Sequence, residues 1–244
     1  MQSTTTFDPS FHLGRLTRSE LAALGREDML FGHLLTRAGL TQVHLRLGSE
    51  EREQIAILEW MGASPVYTRR LREALGITGD DIAAIFKCLQ LDVGFAHQYM
   101  DVAYQVDDER NGQFWLNSCG ALLDVEPTGE EFVLSMCHHI EDPTFDATAV
   151  ATNPRARIRP IHRPPRTPAD REPHCHWTTK IDPALDPVTE IPLTDIVRGS
   201  RLAAFEAPAL TAADSGAGGR ADYAGDFEPA FRLEDLAAPA LVDA

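Results

Sequence analysis

TGDDIAAIFKCLQLDVGFAHQYMDVAY, residues 78–104, carries the strongest periodic signal in the chain. Thr78 and Asp81 make a capping box, and Ile82, Ile85, Phe86, Leu89, Val93, Ala96, Met100 and Tyr104 then mark one apolar stripe at helical spacing. The spacing predicts one long helix that organises the core. It ends at the polar run Asp107-Asp108-Glu109-Arg110-Asn111-Gly112, a turn signal ahead of an aromatic stretch.

Upstream of this segment the pattern is helical throughout. Thr17 with Glu20 forms another capping box, and Leu21, Leu24, Phe31, Leu34 and Leu35 recur at helical spacing as far as Gly39, with a break expected near Gly32. A second helix starts at Ser49 and stops at Gly62. Pro65 opens a third, which ends at Leu75-Gly76.

Downstream the pattern changes. Gln113 to Cys119 reads as a strand, Phe132 to Ile140 as a helix begun by Thr128-Gly129-Glu130-Glu131, and Arg155 to His162 and His174 to Ile181 as two strands joined by a proline-rich loop. Pro160 confines the first of that pair to a sheet edge, because proline cannot donate to a ladder. From Asp182 onward proline, alanine, glycine and acidic residues dominate, with isolated apolar positions such as Phe205, Phe227, Phe231 and Leu236. Such a segment cannot form its own core, so an arm that wraps over this subunit or a neighbour is expected. The fold class is therefore α+β: a helical N-terminal half, a small antiparallel β-α-β-β domain and an extended C-terminal arm. The expected divisions are 1–48, 49–181 and 182–244.

Composition narrows the partners. Asp and Glu outnumber Lys and Arg by 37 to 22, and a net charge of -15 repels phosphate backbones and anionic lipid surfaces. Nucleic acid and membrane are thus not expected partners. Residues 1–18 contain no apolar signal core, and no stretch approaches the roughly 20 apolar residues that span a bilayer. Four cysteines without a C-x-x-C pair fit a reducing, cytoplasmic setting better than a disulfide framework.

Three of the four cysteines and five of the nine histidines fall between residues 119 and 176. If Cys119, Cys137 and Cys175 converge, with His176 beside them, they can hold Zn or Fe, or one thiolate can act as nucleophile beside a histidine base. Alternatively His162, His174 and His176 form a facial histidine set for a metal with open positions. The blander alternative makes each cysteine a small buried hydrophobe, which is the reading for Cys88. His97, with Asp101 one turn later on the expected helix, suits a carboxylate-oriented histidine. His138 and His139 equally suit a helix C-terminus. Arg155, Arg157, Arg159, Arg163 and Arg166 form a basic strip that attracts a substrate carboxylate or pairs with the protein's own acids.

The order of these features resembles a known family. A helical lead-in, an aromatic strand reaching Cys119, a helix with Gly129-Glu130 at its start and Cys137 near its end, Asn153-Pro154, an edge strand and a closing Cys175-His176-Trp177 together look like the L-2-amino-thiazoline-4-carboxylic acid hydrolase-like family. That family is similar in shape to 4-vinyl reductase ligand-binding domains, and the resemblance covers about residues 50–181. It implies a small-molecule hydrolase acting on a C–N bond of a carboxylated nitrogen- or sulfur-containing compound. Carried over by position, Cys119, Cys137 and Cys175 would be the family's cysteines, with His138 after the middle one; read together with the residues above, Cys137, His138, Cys119 and His97 would be catalytic, and Arg157, Arg159 and Trp177 would bind substrate. The alternative expectation is a non-catalytic ligand- or metal-binding accessory subunit. Either version is expected to form a homo-oligomer or to join a larger complex through the arm.

Overall fold

The computed structural model describes residues 9–206 and 218–243. It is a mixed helix-and-sheet protein built around one four-stranded antiparallel sheet. Helix α1 (Arg18–Leu47) starts at the expected capping box, where the Thr17 N–H donates to Glu20 Oε2 at 2.8 Å. It does not break at Gly32, and it runs on to Gly48, whose φ of 101° ends it.

Helix α2 (Ser49–Ala74) passes through both Gly62 and Pro65, so the second and third expected helices are one. The reason lies outside the helix. Pro65 has no N–H to offer the Met61 carbonyl, and the buried Thr194 hydroxyl of α7 (Pro192–Arg198) donates to that oxygen instead, at 3.1 Å. Gly62 leaves room for this docking: a Cβ there would stand 2.9 Å from Leu193 Cγ.

The long helix expected over residues 78–104 is corrected to a helix, a turn and a strand. Helix α3 (Ile82–Gln90) is capped by Asp81 Oδ1, which accepts the Ala84 N–H. A short turn at Val93–Phe95 follows, held by the Gly94 N–H on Asp92 Oδ1 at 2.6 Å. Strand β1 (Met100–Asp108) then buries Met100, Val102 and Tyr104 on one face. Positions 96, 100 and 104 satisfy an i+4 period and a period of two alike, so the stripe alone could not separate helix from strand. Pairing decides it. Strand β2 (Asn111–Cys119) closes a hairpin on β1, with Asp108 opposite Asn111 and Asp108 Oδ1 accepting the N–H groups of Arg110 and Asn111.

Strands β3 (Ala156–His162) and β4 (Cys175–Ile181) complete the sheet in the order β1-β2-β4-β3, which puts Pro160 on an edge strand. The expected three-stranded unit thus gains β1. Between β2 and β3 run α4 (Gly120–Val125), α5 (Glu130–Leu134), a wider π-turn (Ser135–Ile140) and α6 (Glu141–Ala149). The helix expected to end at Ile140 thus continues through Pro143 to Ala149.

The inner face of the sheet carries the main core, centred on Phe114, Ile158 and Trp177, against Phe86 of α3. A second cluster forms where the arm returns. Tyr223, Phe231 and Leu236 are buried against Leu75, Ala84 and Met29, and the chain ends in α8 (Ala238–Asp243). The described part of the arm wraps over its own subunit. No helix among the described residues is long and apolar enough to cross a membrane.

Candidate functional site

Helices α1 and α2 do not seal against the sheet. Between them, α5–α6 and the β2–β4 side of the sheet lies a cavity of about 390 Å³. Leu116, Cys175 and Trp177 form its sheet wall, and Phe132, Met136 and Phe145 line the α5–α6 side. Ala56 and Trp60 of α2 and Leu40 of α1 close it from above. The walls are predominantly apolar, with charged or polar side chains such as His33, Arg37, Arg52, Asp92 and Glu141 set among them.

Asp92 is one of these. It sits in the turn between α3 and β1, accepts the Tyr67 hydroxyl at 3.0 Å and the Gly94 N–H, and burial pushes its carboxyl up to about 6. Arg52 donates through Nη2 to Ser135 Oγ at 2.8 Å and lies 4.5 Å over the Phe132 ring, while its Nε is buried without a partner. Arg37 is tied to Asp124 of α4 at 2.7 Å.

Glu141 differs from all of them. It opens α6 directly after the π-turn, a wide turn of the kind that recurs at functional sites. By area it is only half-buried, because it borders the cavity, yet protein surrounds its carboxyl, and desolvation pushes it up to about 8 despite nearby Arg163. Its Oε2 is sealed with no hydrogen-bond partner. Ionised, this group would be a buried charge left partly unpaired, so the neutral carboxyl is favoured at pH 7.

The three sequence-selected sulfurs share one apolar cluster. Cys119 and Cys175 line the cavity and Cys137 is buried in the π-turn beside them. Cys119 serves as the cap of α4, its Sγ accepting the Leu122 N–H at 3.4 Å. Desolvation is the largest effect on each: Cys119 rises to about 12, Cys137 and Cys175 also rise well above the ordinary thiol range, and Glu141 adds to the rise in all three. All four cysteines are free, and burial favours the thiol over the thiolate at Cys119, Cys137 and Cys175.

The histidines are engaged elsewhere. His138 Nε2 is 2.7 Å from the Pro164 carbonyl and anchors the proline loop, and His139 pairs with Glu53 at 2.8 Å. His97 meets Glu234 of the arm at 3.0 Å; its expected partner, Asp101, accepts from Asn117 instead. His162 and His176 lie side by side on the outer face of the sheet, ring centroids 6.1 Å apart. His174 does not join them, since its Nδ1 accepts the Cys119 N–H at 3.1 Å. Among the described residues no three His, Cys, Asp or Glu side chains gather into a group that could hold a metal, so neither expected ligand set assembles.

Four of the five arginines of the strip, Arg157, Arg159, Arg163 and Arg166, are engaged within the protein. Arg159 holds Asp146 with two bonds of 2.8 Å, Arg157 donates to the Asp186 carbonyl at 2.6 Å, Arg163 pairs with Asp142, and Arg166 holds Glu126 with two bonds of 2.8 Å. Arg157 and Arg159 thus lie away from the cavity lining, while Trp177, the third expected substrate contact, is part of it. Sequence reading missed Glu141, Asp92, Arg52 and Tyr67. Glu141 stands two residues after His139, in the stretch that follows Cys137, and Asp92 was a carboxylate amid an apolar stripe. Arg52 and Tyr67 gave no signal. No family model, curated protein or solved structure matches the chain.

Proposed function

We propose that this chain is a small-molecule-binding domain, and that the cavity under α1 and α2 takes one compact, largely apolar molecule bearing a single hydrogen-bonding group for Glu141. The observation that carries this reading is the cavity itself: about 390 Å³ of apolar-walled space beside a carboxyl with an unpartnered oxygen. Its size falls in the small-ligand range, and a few convergent polar groups in an apolar pocket are the usual form of such sites. Asp92 and Arg37 already have partners, whereas Glu141 Oε2, Arg52 Nε and His33 Nε2 do not, and of these Glu141 is the group that can accept from the ligand's polar end. A donor N–H or O–H suits it better than a carboxylate, because a second acid beside Glu141 would add charge where charge is already disfavoured.

Calorimetric titration with n-hexanol, n-hexylamine and n-hexanoate tests this. Saturable one-to-one binding of the alcohol and the amine, weaker for hexanoate, with the amine's affinity lost in Glu141→Gln, is the expected result. No saturable binding of any of the three overturns the reading.

A second reading is hydrolysis of a C–N bond in a small carboxylated nitrogen or sulfur compound. What favours it is the place of Glu141, in the cavity lining directly after the π-turn, where burial pushes its carboxyl up toward the range suited to general acid–base work near neutral pH. Glu141 would then be the catalytic residue, and the cysteines would shape the pocket. Turnover lost in Glu141→Gln and kept in Cys137→Ala supports this version; loss in both returns the chemistry to sulfur.

A further inference from the structure

Arg37 and Arg52 both line the cavity, but the chain supplies a counter-charge to only one of them. Arg37 is paired with Asp124 at 2.7 Å. Arg52 of α2 makes no ion pair among the described residues: its Nη2 donates to the Ser135 hydroxyl, and its Nε has no partner. The carboxylates that bear on it, Glu53 and Glu131, act only from a distance, and Glu53 is turned to His139 at 2.8 Å. The guanidinium lies 4.5 Å over the Phe132 ring, where burial works against its charge.

Glu141 does not answer it. The charges that bear on Glu141 are those of Arg163 and Asp142, and its own charge is felt by Cys119, Cys137 and Cys175 near the sheet. Arg52 is tied instead to Ser135, at the start of the π-turn that Glu141 follows. The two anchor points are six residues apart in one helical run, up to about 9 Å along its axis. One apolar-walled space thus holds two unsatisfied groups of opposite kind that do not pair with each other.

Resting on the reading that the cavity binds a small molecule, we infer that its ligand has two polar ends: a carboxylate at Arg52, an O–H or N–H donor at Glu141, and an apolar middle between them. A guanidinium set against apolar walls without a counter-ion is costly when the site is empty and becomes favourable when an anion meets it. One guanidinium without a second cation balances one negative charge, so a carboxylate fits and a doubly charged phosphate does not. The arrangement keeps the ligand's acid away from Glu141 and makes Arg52 the residue that sets specificity. Hexanoate satisfies Arg52 alone and n-hexanol satisfies Glu141 alone, whereas an ω-hydroxy acid of the right length satisfies both.

Calorimetric titration of the full-length protein at pH 7 with the series 4-hydroxybutanoate to 8-hydroxyoctanoate, each beside the n-alcohol of the same carbon number, tests this. At one chain length the hydroxy acid should bind about tenfold or more tighter than its alcohol, and added NaCl should weaken the acid more than the alcohol. Arg52→Met, which keeps an apolar stem, should bring the ratio of acid to alcohol affinity to one or below, and Arg52→Lys should retain part of the advantage. Saturable alcohol binding with no length at which the carboxylate helps overturns the inference and leaves the cavity reading standing. An advantage that survives Arg52→Met does the same. Absence of saturable binding in both classes overturns the inference together with the reading beneath it. The length series is read on the parent protein, so it decides the matter whether or not the variants fold.

Discussion

Burial favours the protonated form of the Glu141 carboxyl, and this fixes a sign. Its folded value of about 8 lies above the ordinary glutamate value of 4.5. Between those values the unfolded chain binds fewer protons than the folded one, so this group's contribution to stability is fully present below about 4.5 and is lost as pH rises through about 8. Glu141→Gln removes the effect. The difference in thermal midpoint, variant minus parent, should therefore grow between pH 5 and pH 8; a difference that stays flat or shrinks would show that the carboxyl is ordinarily ionised. The thiols make a parallel case. Cys119, Cys137 and Cys175 should resist a thiol-specific reagent in the folded protein at pH 8 and react once it is unfolded, whereas rapid modification of native protein would reveal a thiolate. Sequence brought these sulfurs to notice because cysteine is rare, but burial, which decides thiol from thiolate, is a property of the fold.

Among the elements, the one most misread from sequence is the stretch Met100–Asp108. Met100 and Tyr104 fit helix and strand equally, and only the partner strand Asn111–Cys119, whose aromatic run was legible, settles the matter. The β2 contact with α3 is tight: a methyl on Gly112 would lie 2.6 Å from Ile82 Cγ2 and 2.9 Å from the Gln105 carbonyl. Gly112→Ala should cost about 2 kcal/mol in chemical denaturation. Helix α2 was read as two because Gly62 and Pro65 are breakers in isolation, and the Thr194 hydroxyl that satisfies Met61 comes from 129 residues beyond Pro65 in the sequence. Thr194→Val should cost about 1–2 kcal/mol by leaving that carbonyl unsatisfied. Adding Pro65→Ala, which restores a helical N–H for it, should recover part of the loss; strict additivity would sever the link between proline and threonine. Capping boxes, by contrast, are local, and the one at Thr17 was legible as it stands, whereas the box expected from Thr78 to Asp81 is replaced by Asp81 itself as the cap of α3.

On the scale of the whole molecule, the arm is structural. Tyr223 stacks on Phe231 with centroids 3.9 Å apart, and its hydroxyl donates to Gln90 Oε1 at 2.8 Å. Lys87 Nζ reaches the Tyr223 carbonyl at 3.1 Å. Composition showed that the arm lacked a core of its own, but not whose core it joins. Leu236→Ala should cost about 3 kcal/mol, measurable by urea denaturation, and a loss below about 1 kcal/mol would mean that the arm is only loosely attached. The cavity was not legible either, since it is a gap between elements distant in sequence. Its existence as a binding space is open to one direct measurement: calorimetric titration of n-hexanol into the parent protein and into Ala56→Phe, in which a buried wall residue is enlarged to fill the space. The account predicts one-to-one saturable binding to the parent and none to the folded variant; equal binding to both would place the ligand elsewhere and contradict it.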